Sequence, residues 1–152
     1  MSTYEVTVEW RSNKKDFKSG KYSRRHLWTF DGGIEIPASS SPSVVPIPYS
    51  DEKAVDPEEA FVAAISSCHM LWFLSIVKNN GFVIKEYQDH ATGIMEKNEH
   101  NRLAITKVDL NPKVTFAGES QPKKEKLYEM HQESHTKCFI ANSVKTIVNI
   151  NF

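Results

Sequence analysis

The stretch Asp56–Gly81, DPEEAFVAAISSCHMLWFLSIVKNNG, decides the fold. Its first residues read as a helix start. Asp56 can cap, Pro57 takes the first helical position, where its missing N–H costs nothing, and Glu59 completes a D-x-x-E variant of the capping box. Asn80-Gly81 supplies the stop. Between these ends the run Ala60–Val77 holds no charged residue. Apolar side chains fall on every face of such a helix, so every face must be covered. One sheet covers one side. The other side calls for a further helix and, in a chain this short, a second copy of the protein.

The run reaches the length of a short membrane span, about 17 residues. Ser66, Ser67, His69 and Ser75 interrupt it, its cap is that of a soluble helix, and amphipathic strands flank it on both sides. A span is therefore rejected, and no membrane partner is expected. The 152 residues match one domain, 1–152, able to bury a core without covalent staples. Lys plus Arg equal Asp plus Glu at 19 each, which gives no electrostatic case for nucleic acid or a membrane surface. The opening MSTYEVTVEW lacks the apolar region of a secretory signal. That points to the cytoplasm, where thiols are kept reduced and two cysteines are catalytic, redox-active or simply buried. No C-x-x-C occurs.

Outward from the helix the chain reads as strands. Tyr4, Val6, Val8 and Trp10 alternate with polar residues, the pattern of a half-buried strand. A turn is expected at Ser19-Gly20. RRHLWTFD, from Arg24, reads as a second strand, with Arg24, His26, Trp28 and Phe30 on one face and Arg25, Leu27 and Thr29 on the other. The segment from Pro37 to Pro57 holds five of the seven prolines and predicts a long surface loop. After the helix, Phe82–Lys97 and Arg102–Gly118 predict a long hairpin joined at Asn98–Asn101. Bulges are expected at Gly93 and between Ile105 and Val108. A second, broken helix follows, with Leu127, Met130 and Cys138 inward, and Lys145–Phe152 closes as a strand. The fold class is α+β, mostly antiparallel.

Cys68 and Cys138 each admit a bland reading as small buried hydrophobes. His135, three positions before Cys138, shares its helical face. Glu58 and Glu59 complement the helix dipole. Arg24 faces the aromatic residues of its strand, either as a snorkelling cover or as a buried charge that needs a carboxylate.

Together, DPEEAFVAAISSC and the later SHTKCFIANSV resemble the OsmC/Ohr family of thiol-dependent hydroperoxide reductases. Glu58 lies ten positions before Cys68, as the family's glutamate does before its reactive cysteine, and His135 and Cys138 match its His-x-x-Cys. The resemblance implies mostly antiparallel sheets wrapped around long central helices in an intertwined homodimer. It implies a peroxidase acting on organic hydroperoxides, or on hydrogen peroxide, in oxidative-stress defence. Cys68 would be the peroxidatic residue and Cys138 the resolving one, a dithiol would be the reductant, and no cofactor or metal would be needed. An arginine held by Glu58 would polarise the peroxide. Arg24 takes that role, with Arg25 the second choice because the strand register is open. Ser67 and His69 around Cys68, and Phe139 after Cys138, depart from the family pattern. Two other readings compete: a binding module whose aromatic residues Trp28, Phe30, Trp72 and Phe73 hold an apolar small molecule, and a hot-dog-like thioesterase. A zinc site from Cys68, His69, His135 and Cys138 has atypical spacing.

Overall fold

The computed structural model describes residues 1–152. It is α+β, with mostly antiparallel sheets and one long helix, and the chain divides into two compact units, Met1–Ala60 and Phe61–Phe152.

The first unit is a three-stranded antiparallel meander, β1 (Val6–Glu9), β2 (His26–Phe30) and β3 (Glu35–Ala38), in that spatial order. The alternation that predicted β1 gives the pleat correctly. The expected half-burial is absent, however: all four residues are exposed, Val8 at 61%. A short helix, α1 (Lys14–Ser19), stands where only a turn was expected. Asn13 caps its start and Gly20, at φ 77°, closes it in the left-handed region that glycine tolerates. A single turn of helix leaves no apolar period to read, and only its terminator showed. β2 starts two residues later than expected, so Arg24 and Arg25 precede it. The cause is local: the partner of His26 is Ala38, where β3 ends, and the Arg24 N–H turns to the Tyr49 carbonyl at 2.8 Å. Pro37 sits on β3, an edge of the sheet, where a missing donor is tolerated. The proline-rich segment returns to that edge. Val55 N–H meets Pro37 O and Ser39 N–H meets Val55 O, both at 3.0 Å, which buries Ser39 and Ala54.

Helix α2 (Pro57–Asn79) begins at the end of the first unit and runs through the second. Its capping box is reciprocal: Glu59 N–H donates to Asp56 Oδ1 at 2.7 Å, and Asp56 N–H donates to Glu59 Oε2 at 3.2 Å. Gly81, at φ 81°, ends it, and Phe82 N–H reaches back to Val77 O at 3.2 Å.

The predicted hairpin is present but folded at a corner. β4 (Val83–Asp89) pairs with β7 (Pro112–Ala117), and β5 (Thr92–Lys97) pairs with β6 (Leu103–Leu110), in two separate sheets. Asp89 holds the corner, accepting the Asn111 N–H at 2.6 Å and the hydroxyl of Ser66 on α2. The bulge expected between Ile105 and Val108 is there: Ile94 faces Lys107 and Met95 faces Ile105, leaving Thr106 as the extra residue. Gly93 is not a bulge, because it pairs in register with Val108. Its reason is the helix, since a Cβ there would stand 2.7 Å from Val62 Cγ2. Helix α3 (Lys124–Lys137) breaks at Cys138 and resumes as α4 (Phe139–Asn142). β8 (Ile147–Ile150) then joins β6 in parallel.

Two apolar clusters hold the second unit. Phe73, Ile76 and Val77 of α2 pack on Met130, and Ile65 packs on Val108 and Leu110. Helix α2 meets the length and hydropathy conditions for a membrane span, yet these core residues lie on it. Its opposite stripe, Ala64, Ser67, Leu71 and Ser75, stays exposed, Leu71 at 61%.

Gly93→Ala should lower unfolding stability by about 1–3 kcal/mol, because the added methyl overpacks a rigid valine. Denaturant titration of Gly93→Ala, Val62→Ala and the double variant checks this. The double variant should recover part of the loss, which would show that the two positions are coupled.

Candidate functional site

Cys68 is half-buried at the middle of α2, and Cys138 is 1% exposed at the break between α3 and α4; both are free thiols. The break is what presents Cys138. Its backbone leaves the helix at φ −66°, ψ 109°, and its N–H closes α3 on His135 O at 3.2 Å. Its Sγ then accepts the Ala141 N–H at 3.4 Å as the cap of α4. Although Cys68 and Cys138 are far apart in sequence, their thiols are neighbours in the fold. Burial, and next the neighbouring Cys68 thiol, push the Cys138 thiol up to about 11, against the Ala141 and Ile140 N–H groups, which favour its thiolate. Cys138 therefore keeps its proton at neutral pH. One helical turn beyond Cys68, Trp72 meets Phe139 edge-on, with ring centroids 5.5 Å apart. Lys137 Nζ lies 5.6 Å over the Trp72 ring and 2.6 Å from Glu133 Oε1.

A second polar contact joins the same helices. His69, 1% exposed, and His131, 0% exposed, share a hydrogen bond of 3.0 Å between Nε2 and Nδ1. Their rings are nearly parallel and meet edge to edge along the bond, with centroids 5.3 Å apart, and Phe73 lies flat on His131 at 4.0 Å. The outer nitrogens, His69 Nδ1 and His131 Nε2, have no hydrogen-bond partner, and neither does His135 Nδ1. Burial holds both imidazoles neutral. It lowers His69 to about 4, with His135 adding to the effect and Asp89 opposing it, and lowers His131 to about 3, with His69 adding to it. His131 was not singled out from the sequence. The signal was available, since His131, His135 and Cys138 recur at helical spacing on one face of α3.

The other two expected site residues lie in the first unit and form no ion pair with each other there. The Arg24 guanidinium donates to Tyr22 O at 2.6 Å and Gly20 O at 3.2 Å, and lies 3.7 Å over the Tyr22 ring. Arg25 pairs with Asp51, whose carboxyl is held below its ordinary value by the Lys53 N–H and by Arg25 itself. Glu58 is half-buried in the first turn of α2. It stands ten residues before Cys68, about 15 Å along a helix axis.

Of the four aromatic residues considered for an apolar ligand, Phe73 is fully buried in the core and lines no opening. A groove in the second unit, about 350 Å³, is lined by Phe61, Ile105, Val144, Lys145 and their neighbours. No group of three or more His, Cys, Asp or Glu side chains is arranged to hold a metal ion.

Comparison with known proteins gives a consistent picture. The family model described as OsmC-like protein matches residues 50–152. An OsmC-like protein of unknown function from Vibrio cholerae is 49% identical, with TM-score 0.97 and coverage of 99% of each chain. An OsmC-like protein from Mycoplasma pneumoniae is 12% identical, with TM-score 0.73, covering 99% of this chain and 95% of that one. An organic hydroperoxide resistance protein from Elizabethkingia anophelis, with thiocyanate bound, is 15% identical, with TM-score 0.72, covering 99% of this chain and 94% of that one. No curated protein matches. These likenesses establish an OsmC-type fold, in place of the hot-dog alternative.

The buried imidazoles make stability depend on acid. Each takes a proton near 6.5 when unfolded but only near 4 or 3 when folded, so below about pH 6.5 the unfolded chain binds more protons. Stability is complete above that pH and falls as pH falls. By pH 4 the loss is on the order of 3 kcal/mol per histidine. Denaturant unfolding between pH 7.5 and 4 should show it, and the double variant His69→Phe, His131→Phe should show a shallower slope.

Proposed function

The chain belongs to the OsmC-like family, and from that premise we propose that it is a thiol-dependent peroxidase. It reduces organic hydroperoxides, with hydrogen peroxide as a smaller substrate, in the defence of the cytoplasm against oxidative stress. The observation that carries this reading is that the only two cysteines, Cys68 and Cys138, are free thiols brought together as neighbours by the fold. Hydroperoxide resistance proteins that share the fold support the same class of chemistry.

The two sulfurs differ as the cycle requires. Cys68, the more accessible, attacks a peroxide oxygen as its thiolate; the S–O bond forms, the O–O bond breaks, and the alkoxide leaves to be protonated to the alcohol. Cys138, buried and already beside Cys68, then attacks the sulfenic sulfur. The S–O bond breaks, the hydroxide leaves with the Cys138 proton as water, and a disulfide remains. A dithiol reductant restores both thiols and is itself oxidised to a disulfide. Helix α4 suits this role, because its Ala141 and Ile140 N–H groups favour negative charge on the Cys138 sulfur as its proton departs. Arg24 is the arginine assigned to polarise the peroxide and Glu58 the carboxylate that orients it, with Arg25 as the alternative. In that role the arginine meets substrate through the N–H donors that its carbonyl partners, or its ion pair with Asp51, leave free. The working unit is a homodimer, in which a second copy covers the exposed Ala64–Ser67–Leu71–Ser75 stripe of α2.

Mass spectrometry after one equivalent of cumene hydroperoxide tests the cycle. Wild type should lose about two mass units as a disulfide, Cys138→Ser should gain about sixteen or more, and Cys68→Ser should not consume peroxide. Peroxidase activity that survives Cys68→Ser would refute the reading. Arg24→Ala and Glu58→Ala should each slow the first oxidation by about a hundredfold, on the scale of one lost charge-stabilising contact; full activity in both would move the role to Arg25. Sedimentation at micromolar concentration should show a dimer, and a stable monomer would defeat the dimeric assignment.

A further inference from the structure

We propose that His69 and His131 are positioning residues for disulfide closure: their ring-to-ring hydrogen bond registers α2 against α3 so that Cys68 meets Cys138. The inference rests on the two-cysteine cycle proposed above.

Two contacts between α2 and α3, besides Lys137 over Trp72, differ in kind. One is apolar, between Phe73, Ile76 and Val77 on one side and Met130 on the other. Such contact is non-directional, and it tolerates small slides. The other kind has direction and a set length. His69, the residue after Cys68, bonds to His131, two turns before Cys138 on the same face as that cysteine, at 3.0 Å. The bond cannot swing away, because the His131 ring is packed between Phe73 at 4.0 Å and Phe152 at 4.4 Å.

The cost of this arrangement argues that register is what it secures. A neutral imidazole has one N–H and one lone pair. Whichever ring donates, one outer nitrogen is left as a donor and the other as an acceptor, and both are buried without partners. Two apolar side chains would fill the space more cheaply. A disulfide, in turn, forms only when the Cα atoms come within a narrow range of separation and the Cβ vectors converge. Two neighbouring thiols tolerate more latitude than the covalent bond will.

The bond exists only while the pair is short of two protons. One proton buries a charge in the core. Two put N–H against N–H and abolish the bond. The groups that face the pair are His135 on α3, which opposes charge, and Asp89 at the end of β4, which favours it. Tyr87 on β4 packs on Phe73 and stays a neutral phenol, its ionisation pushed up by burial. Closure should therefore have an acid limb that belongs to the imidazoles.

The test needs no peroxide. Oxidised glutathione is attacked by Cys68, releasing one glutathione thiolate and leaving a mixed disulfide. Cys138 displaces the second glutathione, which leaves with the Cys138 proton. The fraction of Cys68–Cys138 disulfide in glutathione buffers gives the effective concentration of one thiol at the other. His131→Phe keeps the aromatic stack and loses the bond, and should lower that concentration by about tenfold or more, since a misplacement near 1 Å can cost a hundredfold. His131→Asn, whose amide stands where Nδ1 stood, should recover most of it and flatten the acid limb. His69→Leu and His69→Gln read the same bond from α2, the amide of Gln replacing Nε2. Equal effective concentrations in wild type, His131→Phe and His69→Leu would overturn the proposal, as would amide variants no better than the apolar ones. A wild type that closes with glutathione but ignores cumene hydroperoxide refutes the peroxidase reading and leaves this one supported.

Discussion

Helix α2 carries no charge from Ala60 to Val77, and each face of it must be kept from water. Fully burying one large aliphatic or aromatic side chain contributes roughly 1.5–3 kcal/mol, so a helix of this composition dominates the stability of whatever encloses it. Much of the second unit is shaped by that requirement. Gly93 lacks a side chain because Val62 approaches it, Asp89 turns the sheet at a corner where it also takes the Ser66 hydroxyl, and Met130 brings α3 onto Phe73 and Val77. What the chain cannot cover alone is the small-residue stripe with Leu71 at its centre.

In the proposed cycle the same helix carries the attacking thiol, and burial is what divides the labour. A thiol deep in the protein keeps its proton, and one nearer the surface is the one a peroxide can reach. Here the two are neighbours, the deeper one sitting at a helix break where backbone N–H groups favour its charge. A chain that paired two equally exposed thiols would lose that order of events. Arg24 binds carbonyls and Arg25 binds Asp51, each through one guanidinium nitrogen, which leaves further N–H donors on both.

Features set by neighbouring residues were legible in the sequence. The capping box needs only Asp56, Pro57 and Glu59, and it formed as read. The bulge at Thr106 showed as a change of alternation; a break in the second helix was expected, but its place at Cys138 was not read. What was not legible depended on distant partners. The start of β2 was set by where β3 ends, so Arg24 and Arg25 fell outside it. Gly93 was read as a bulge because its true constraint, Val62, lies on another element. His131 gained meaning only when folding set it against His69, although its spacing to His135 and Cys138 was visible. Helix α1 escaped because one turn has no period.

The corner at Asp89 also orders the assembly of the second unit in time. β5 and β6 are joined by a short turn, and β4 and β7 lie outside them on the same chain path. Closing β5 on β6 shortens the loop that β4 and β7 must close to a mere corner, and loop-closure entropy falls with it. The pairs therefore zip outward from Asn98–Asn101, each making the next cheaper. β8 is different. It reaches β6 in parallel only after α3 and α4 have been laid down, so its pairing is non-local and falls at the slow end of the sequence. Cys138 lies on that last stretch, just before β8. The thiol pair should therefore be completed late in folding, once α2 has its sheet beside it.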